Sequence, residues 1–351
     1  MDIFDNPRTG PGRPRLFRAS AARPMALLGQ CPAYKATPLC DMGRLAAALG
    51  VGSLRVKDET GRMGLGSFKA LGGAYAIAQM IADAAGTDDL RGERARAAAA
   101  GMTFITASAG NHGLSVAAGA RVFGARAVIV LCEAVPEGFA ERIRAMGAEV
   151  QRVQGAYEDS VAHAMAEAEA NGWLLLADGS WEGYVERPAL VMEGYTVLAE
   201  EIRAALEAGG DWPSHVFLQA GVGGLAAAVA AHIRDHWAVQ PVITVVEPEA
   251  APCLLASVKA GELTRAEGPL SNMGRLDCKD ASLIAFEALR RDADRFMTVT
   301  DEEASAAADM LAQEGIATTP SGAAPLAGLR AMRPGAESRC LLIVSEGPEA
   351  G

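Results

Sequence analysis

Lys69 is the residue of this chain best placed to do chemistry. It closes the run Gly64-Leu65-Gly66-Ser67-Phe68 and opens a segment, Ala70-Leu71-Gly72-Gly73, with helical patterning. A lysine can carry a carbonyl compound only if its amine is at some stage uncharged and held in place. A merely structural lysine is unfavourable at a helix N-terminus, where the dipole is already positive. The small neighbours Gly66, Ser67, Ala70, Gly72 and Gly73 are expected to let a flat ring approach the backbone.

Two further loops offer anion chemistry. Ser108-Ala109-Gly110-Asn111-His112-Gly113 follows an apolar run and opens a helical segment, so its N–H groups point outward at a dipole-positive end. A carboxylate suits it; the His112 ring reads as packed locally. The second loop, Ala220-Gly221-Val222-Gly223-Gly224-Leu225, suits a phosphate. It has a competing reading: Gly221, Gly223 and Ala226 fit G-x-G-x-x-A after a strand, with Glu247 ending the next strand. That is also a dinucleotide fingerprint.

These loops need a scaffold that delivers strand ends to helix starts. Apolar runs at 102–107, 127–131, 173–177, 215–220, 242–247 and 340–345 predict buried parallel strands separated by helices. Residues 70–85 put Ala74, Ile77, Ala78 and Ile81 on one face, the spacing of an amphipathic helix. Gly124 and Gly147 each close a helix before a strand, an αβαβ stretch rather than a repeat array. Residues 87–100, charged and Ala-rich, predict a solvated helical excursion. The first 45 residues, with several prolines and little periodicity, are expected to wrap a larger lobe.

The chain's 351 residues exceed one ordinary domain, so two lobes around a cleft are expected. Half the residues are hydrophobic and only 5% aromatic, which suits tight α/β layers. A net charge of −11 argues against nucleic acid or an anionic membrane as partner. The scattered cysteines Cys31, Cys40, Cys132, Cys253, Cys278 and Cys340 predict reduced thiols and a cytoplasmic protein. No apolar run reaches the roughly 18 residues a membrane span needs. The N-terminus, Met1-Asp2-Ile3-Phe4-Asp5, lacks the order of a signal peptide. No metal site is expected.

Taken in order, Lys57-Asp58-Glu59-Thr60, Ser67-Phe68-Lys69, the Asn111 loop, the 221–224 loop, Val246-Glu247-Pro248 and Ser345 resemble the fold type II (tryptophan synthase β-like) family of pyridoxal phosphate (PLP) enzymes. The resemblance runs roughly from Lys57 to Gly347. Within that family, Asp178-Gly179-Ser180-Trp181-Glu182-Gly183-Tyr184, Pro188 and Met192-Glu193-Gly194-Tyr195 are similar to a segment of the diaminopropionate ammonia-lyases. Lys69-Ala70-Leu71-Gly72-Gly73-Ala74-Tyr75 and Ser345-Glu346-Gly347 are similar too.

The resemblance implies a two-lobed α/β fold with the active site between the lobes. Residues 1–72 and 180–351 would form a large cofactor-binding domain, with 73–179 a small α/β domain inserted in it. Lys69 would carry the cofactor and act as base for the L-substrate; Asp178 would face the substrate's amino groups. Asn111 would bind a ring hydroxyl, and Gly221, Val222, Gly223, Gly224 and Leu225 the phosphate. Ser345 would meet the pyridine nitrogen, and a neutral partner there favours β-elimination over transamination. Ser108, Ala109, Gly110, Asn111 and His112 would hold the substrate carboxylate. The implied reaction converts 2,3-diaminopropionate to pyruvate and ammonia, in a homodimer.

One departure matters. Those lyases usually carry Asp at the position of Ala109, as base for the D-isomer, and Ala cannot move a proton. An L-preference is therefore expected. The S-A-G-N-H-G form looks more like serine/threonine dehydratases, so an L-serine/threonine-type or hydroxyaspartate-type dehydratase is the alternative. A non-catalytic protein, binding a nucleotide or PLP, stands apart from both readings.

Overall fold

The structure, a computed structural model, describes residues 2–8 and 15–348. The parts of the N-terminal expectations that fall on residues 1 and 9–14 lie outside the described residues. Eleven strands are described: β1 (Ile3–Asp5), β2 (Leu39–Asp41), β3 (Ser53–Asp58), β4 (Thr103–Ala107), β5 (Arg126–Cys132), β6 (Glu149–Val153), β7 (Leu174–Leu175), β8 (His215–Gln219), β9 (Val242–Pro248), β10 (Arg295–Val299) and β11 (Arg339–Val344).

They form two sheets. A seven-stranded sheet runs β1-β10-β9-β8-β11-β3-β2, parallel except at its antiparallel edges β1 and β2. A four-stranded sheet runs β6-β5-β4-β7, parallel throughout. All six predicted apolar runs are parallel strands. The run at 173–177 pairs over only two residues, because after Leu176 donates its N–H to Ile105 the chain turns toward Asp178. Two parallel strands gave no strong apolar signal. β3 alternates Leu54 and Val56 with Arg55 and Lys57, and β10 breaks its apolar run with Arg295 and Thr298.

Helices fill the connections: α1 (Ala22–Leu28), α2 (Gly43–Leu49), α3 (Lys69–Ala85), α4 (Glu93–Ala100), α5 (Asn111–Phe123), α6 (Glu137–Ala145), α7 (Tyr157–Asn171), α8 (Glu186–Gly209), α9 (Gly224–His236), α10 (Cys253–Ala260), α11 (Leu283–Asp292), α12 (Asp301–Gln313) and α13 (Pro320–Met332). Side chains alternate across the large sheet, as pleating requires. Leu218 and Ile343 pack in one core with α3, α8 and α9, while Phe217 and Val344 pack in another with α12 and α13. The small sheet packs Ile105 and Val128 against Ala164 of α7. Among the described residues no helix is long and apolar enough to cross a membrane, and the six cysteines are free thiols.

α3 carries the candidate lysine at its first position. It starts at Lys69, as its sequence predicts, but it is buried nearly all round, between α5 and α8. Its glycines serve that packing. A Cβ at Gly72 would lie 2.4 Å from Tyr195 Cε1, and one at Gly73 would lie 2.3 Å from Ser115 Oγ. They make room for neighbouring helices rather than for a ring.

Candidate active site

β4, β8 and β11 all end at one cleft of about 500 Å3. Parallel α/β sheets place ligands there, outside the carboxyl ends of their strands. α3, α5 and α9 begin at the same cleft, and α5 and α9 have no side-chain cap. Their first N–H groups are left to meet a ligand, and the dipoles favour an anion. The cleft collects every residue singled out in the sequence: Lys69, Ser108, Ala109, Gly110, Asn111, His112, Asp178, Gly221, Val222, Gly223, Gly224, Leu225 and Ser345.

Lys69 Nζ forms an ion pair with Asp178 Oδ2, and both side chains are about three-quarters buried. Burial alone would lower the lysine's pKa, yet the adjacent carboxylate outweighs it and holds Lys69 above its ordinary value. Burial likewise works against ionising Asp178, and Lys69 more than compensates, so its carboxyl lies well below the usual range. His112 is buried, which lowers its pKa and keeps the ring neutral. Its Nε2 meets the Leu176 carbonyl at 2.8 Å, the local packing expected of this ring.

The cleft fits a flat, polar, phosphorylated group on three grounds. A Cβ at Gly221 would lie 3.0 Å from Cys278 Sγ and 3.1 Å from the Arg275 carbonyl. Gly223 has φ +100°, and a Cβ there would lie 3.0 Å from both Leu254 and Ala285. The two glycines therefore let the loop pack this closely against its neighbours while its backbone lines the cavity, as close phosphate approach requires. The cleft is also lined by residues with buried polar atoms that find no protein partner: His112 Nδ1, Gln219 Oε1 and the Tyr195 hydroxyl. Unmet groups of this kind cost about 1–3 kcal/mol each unless a ligand answers them.

Ser345 follows β11, and its carbonyl accepts the Phe68 N–H at 3.0 Å, tying the Lys69 loop to the strand end. Asn111 donates through Nδ2 to Glu346 Oε2. Glu346 is buried, accepts from Thr319 Oγ1 at 2.7 Å and has Arg275 Nε at 3.8 Å. Glu346, Arg275, Gln219 and Tyr195 escaped the sequence reasoning. A charge after a strand reads as a surface residue, and Arg275 sits in a loop without periodicity. Only the Met192-Glu193-Gly194-Tyr195 and Ser345-Glu346-Gly347 strings carried a hint, for Tyr195 and Glu346.

Glu247 answers the dinucleotide reading. It is fully buried, and its two carboxylate oxygens accept the N–H groups of Leu254 and Leu255 at 2.8 Å each. It caps α10 and is not among the residues that line the cleft.

Comparison with known proteins agrees with this geometry. The family described as pyridoxal-phosphate dependent enzyme matches residues 31–346. Diaminopropionate ammonia-lyase of Escherichia coli (strain K12) is 36% identical over 311 residues, 87% of this chain and 78% of that protein. The crystal structure of the Escherichia coli enzyme with D-serine superposes with TM-score 0.87 at 30% identity, covering 99% of this chain and 93% of that one. The same enzyme with an aminoacrylate-PLP azomethine reaction intermediate gives TM-score 0.86 at 31% identity, with the same coverage.

Proposed function

The chain belongs to the pyridoxal-phosphate-dependent enzyme family, and from that premise we propose that it eliminates ammonia from L-2,3-diaminopropionate to give pyruvate and ammonia. The observation that carries this reading is the Lys69–Asp178 ion pair at the centre of the cleft. A cationic leaving group gives an ionised, largely buried carboxylate a purpose beyond its pairing with the lysine. When bound, PLP supplies the electron sink that lets an amino acid lose its α-proton.

The protein's own residues do the rest. Lys69 would hold the cofactor through Nζ until the substrate's α-amine takes its place and frees the lysine amine, and the N–H groups of 221–225 would hold the phosphate. Asn111, oriented by Glu346, and Ser345 address the ring. The N–H groups at the start of α5, with Ser108, Ala109 and Gly110, hold the substrate carboxylate. Asp178 binds the β-ammonium group. Two ammonium groups then compete for one carboxylate, and as Asp178 turns to the substrate, burial, the largest influence on Lys69, lowers its pKa. Its Nζ then takes the α-proton. The β-nitrogen leaves as ammonia, and hydrolysis of the remaining enamine gives pyruvate and the second ammonia.

Ala109 supports a second reading, an L-serine/threonine-type or hydroxyaspartate-type dehydratase working with the same residues. By family likeness we further propose a cytoplasmic homodimer whose large lobe is built from 1–72 and 180–351 around an inserted 73–179. The test is the visible absorption of the purified protein and of Lys69→Ala, with pyruvate assayed on L-2,3-diaminopropionate. Wild type should absorb near the violet edge, change on adding substrate and form pyruvate; Lys69→Ala should lose both band and turnover. Normal turnover by Lys69→Ala sinks the assignment. A wild-type band that ignores diaminopropionate but responds to L-serine or L-threonine selects the dehydratase.

A further inference from the structure

Beside the cleft lies a second cavity of about 470 Å3. The two share Tyr157, Asp178, Val222, Arg265 and Asp280 as a common boundary. Beyond that boundary the walls are mostly apolar, with Thr106, Ser180, Thr264 and Ser282 their polar members. Val161 and Ala164 come from α7, Leu175 from β7, and Ala177, Trp181 and Leu263 from flanking segments. Trp181 is stacked on Tyr184 at 4.4 Å, and the Tyr184 hydroxyl is tied to the Leu175 carbonyl at 2.8 Å, so this wall is fixed. The Arg265–Asp280 ion pair is exposed and takes part in lining both cavities.

A free β-ammonium group needs only Asp178. It has no use for an apolar chamber nearly as large as the main cleft, where one water molecule takes about 30 Å3. We propose that this chamber is a leaving-group subsite for 2,3-diaminopropionates whose β-nitrogen carries an apolar alkyl or arylalkyl group. The inference rests on the ammonia-lyase reading and extends it to secondary amines. Asp178, on the boundary, holds the protonated β-nitrogen, and the substituent turns away from Lys69 into the apolar chamber.

The chemistry balances. Lys69 takes the α-proton, the Cβ–N bond breaks with its electron pair going to nitrogen, and the amine R–NH2 departs carrying the substituent. Water then converts the enamine to pyruvate and ammonia. One substrate and one water thus give one amine, one ammonia and one pyruvate.

The probe is N3-benzyl-L-2,3-diaminopropionate beside the parent compound, with pyruvate and benzylamine both measured. Wild type should process the benzyl compound with kcat/KM within about 10-fold of the parent. Val161→Trp, which fills the chamber, should lower kcat/KM for the benzyl compound at least about 10-fold, the equivalent of roughly 60 Å2 of lost apolar burial. The parent should stay within about 2-fold. Leu263→Asp, at an exposed position, should act in the same direction if Val161→Trp does not fold. Turnover of the parent alone overturns the subsite and leaves the lyase reading standing. Turnover of neither compound strikes at the lyase reading itself. Equal loss on both substrates in Leu263→Asp also overturns the subsite, because the benzyl group would then lie elsewhere.

Discussion

At the scale of single residues, the site is governed by an amine and a carboxylate that control each other's protons. Lys69 is held charged by Asp178, and Asp178 is held ionised by Lys69. Asp178→Asn keeps the shape and removes the charge. Losing one partner of a largely buried charge pair costs about 2–5 kcal/mol, so kcat/KM for diaminopropionate should fall at least about 30-fold. The violet absorption band should remain, since the phosphate loop is untouched. A β-hydroxy amino acid has no second ammonium group and should lose less. Equal losses on both substrate types would mean that Asp178 serves Lys69 alone and never touches the β-substituent. Ala109→Asp tests the opposite face: it should raise pyruvate formation from D-diaminopropionate above the wild-type level. These residues were legible because lysine, glycine and asparagine at loop-to-helix junctions carry their chemistry in their type. Glu346 and Tyr195 were not, because their roles depend on what lies against them. Tyr195 is made by Gly72 and Phe68, whose ring it meets at 4.8 Å.

At the scale of elements, glycines decide whether loops and helices can come close enough. Gly223 sits at φ +100° at the start of α9, with Leu254 and Ala285 against the place a Cβ would take. Gly223→Ala should cost about 1–3 kcal/mol of local strain, which would withdraw the N–H groups proposed to hold the phosphate. PLP affinity, titrated by absorbance, should weaken about 10-fold; an unchanged affinity would mean the phosphate lies elsewhere. Gly194 tests packing instead. A Cβ there would lie 2.7 Å from the Leu71 carbonyl and 2.8 Å from Gly72 Cα, where α8 crosses α3. Gly194→Val should separate the two helices and lower stability by about 1–3 kcal/mol, read as a lower denaturation midpoint. The strand–loop–helix order was legible from apolar runs and their terminal glycines. The partner of each helix was not: Gly72 and Gly73 look the same in sequence whether they face a cofactor or another helix.

At the scale of the whole molecule, two buried carboxylates give stability opposite pH signatures. Glu201 on α8 accepts from Lys57 Nζ at 2.6 Å, from Arg62 Nη2 at 2.7 Å and from the Tyr34 hydroxyl at 3.0 Å. It thereby ties the N-terminal segment and β3 to α8. Burial pushes its pKa up, but Arg62 and Lys57 outweigh that and leave it below its ordinary 4.5. The stability it contributes is present above pH 4.5 and is lost as pH falls through its folded value. Glu247 runs the other way: burial pushes it up to about 8, against the pull of the Leu254 and Leu255 N–H groups. Its contribution is complete below pH 4.5 and is lost as pH rises through about 8. Thermal midpoints of wild type, Glu201→Gln and Glu247→Gln, each saturated with PLP and measured from about pH 3 to 9, separate the two. Breaking the Glu201 network should cost about 3–5 kcal/mol near neutrality, and the gap to wild type should close as pH drops below 4.5. The advantage of wild type over Glu247→Gln should shrink by about 2–6 °C between pH 5 and 8.5. Parallel curves over that second interval would mean that Glu247 stays ionised throughout, held by two N–H groups and the dipole of α10. The start of α10 would then carry a permanent buried negative charge.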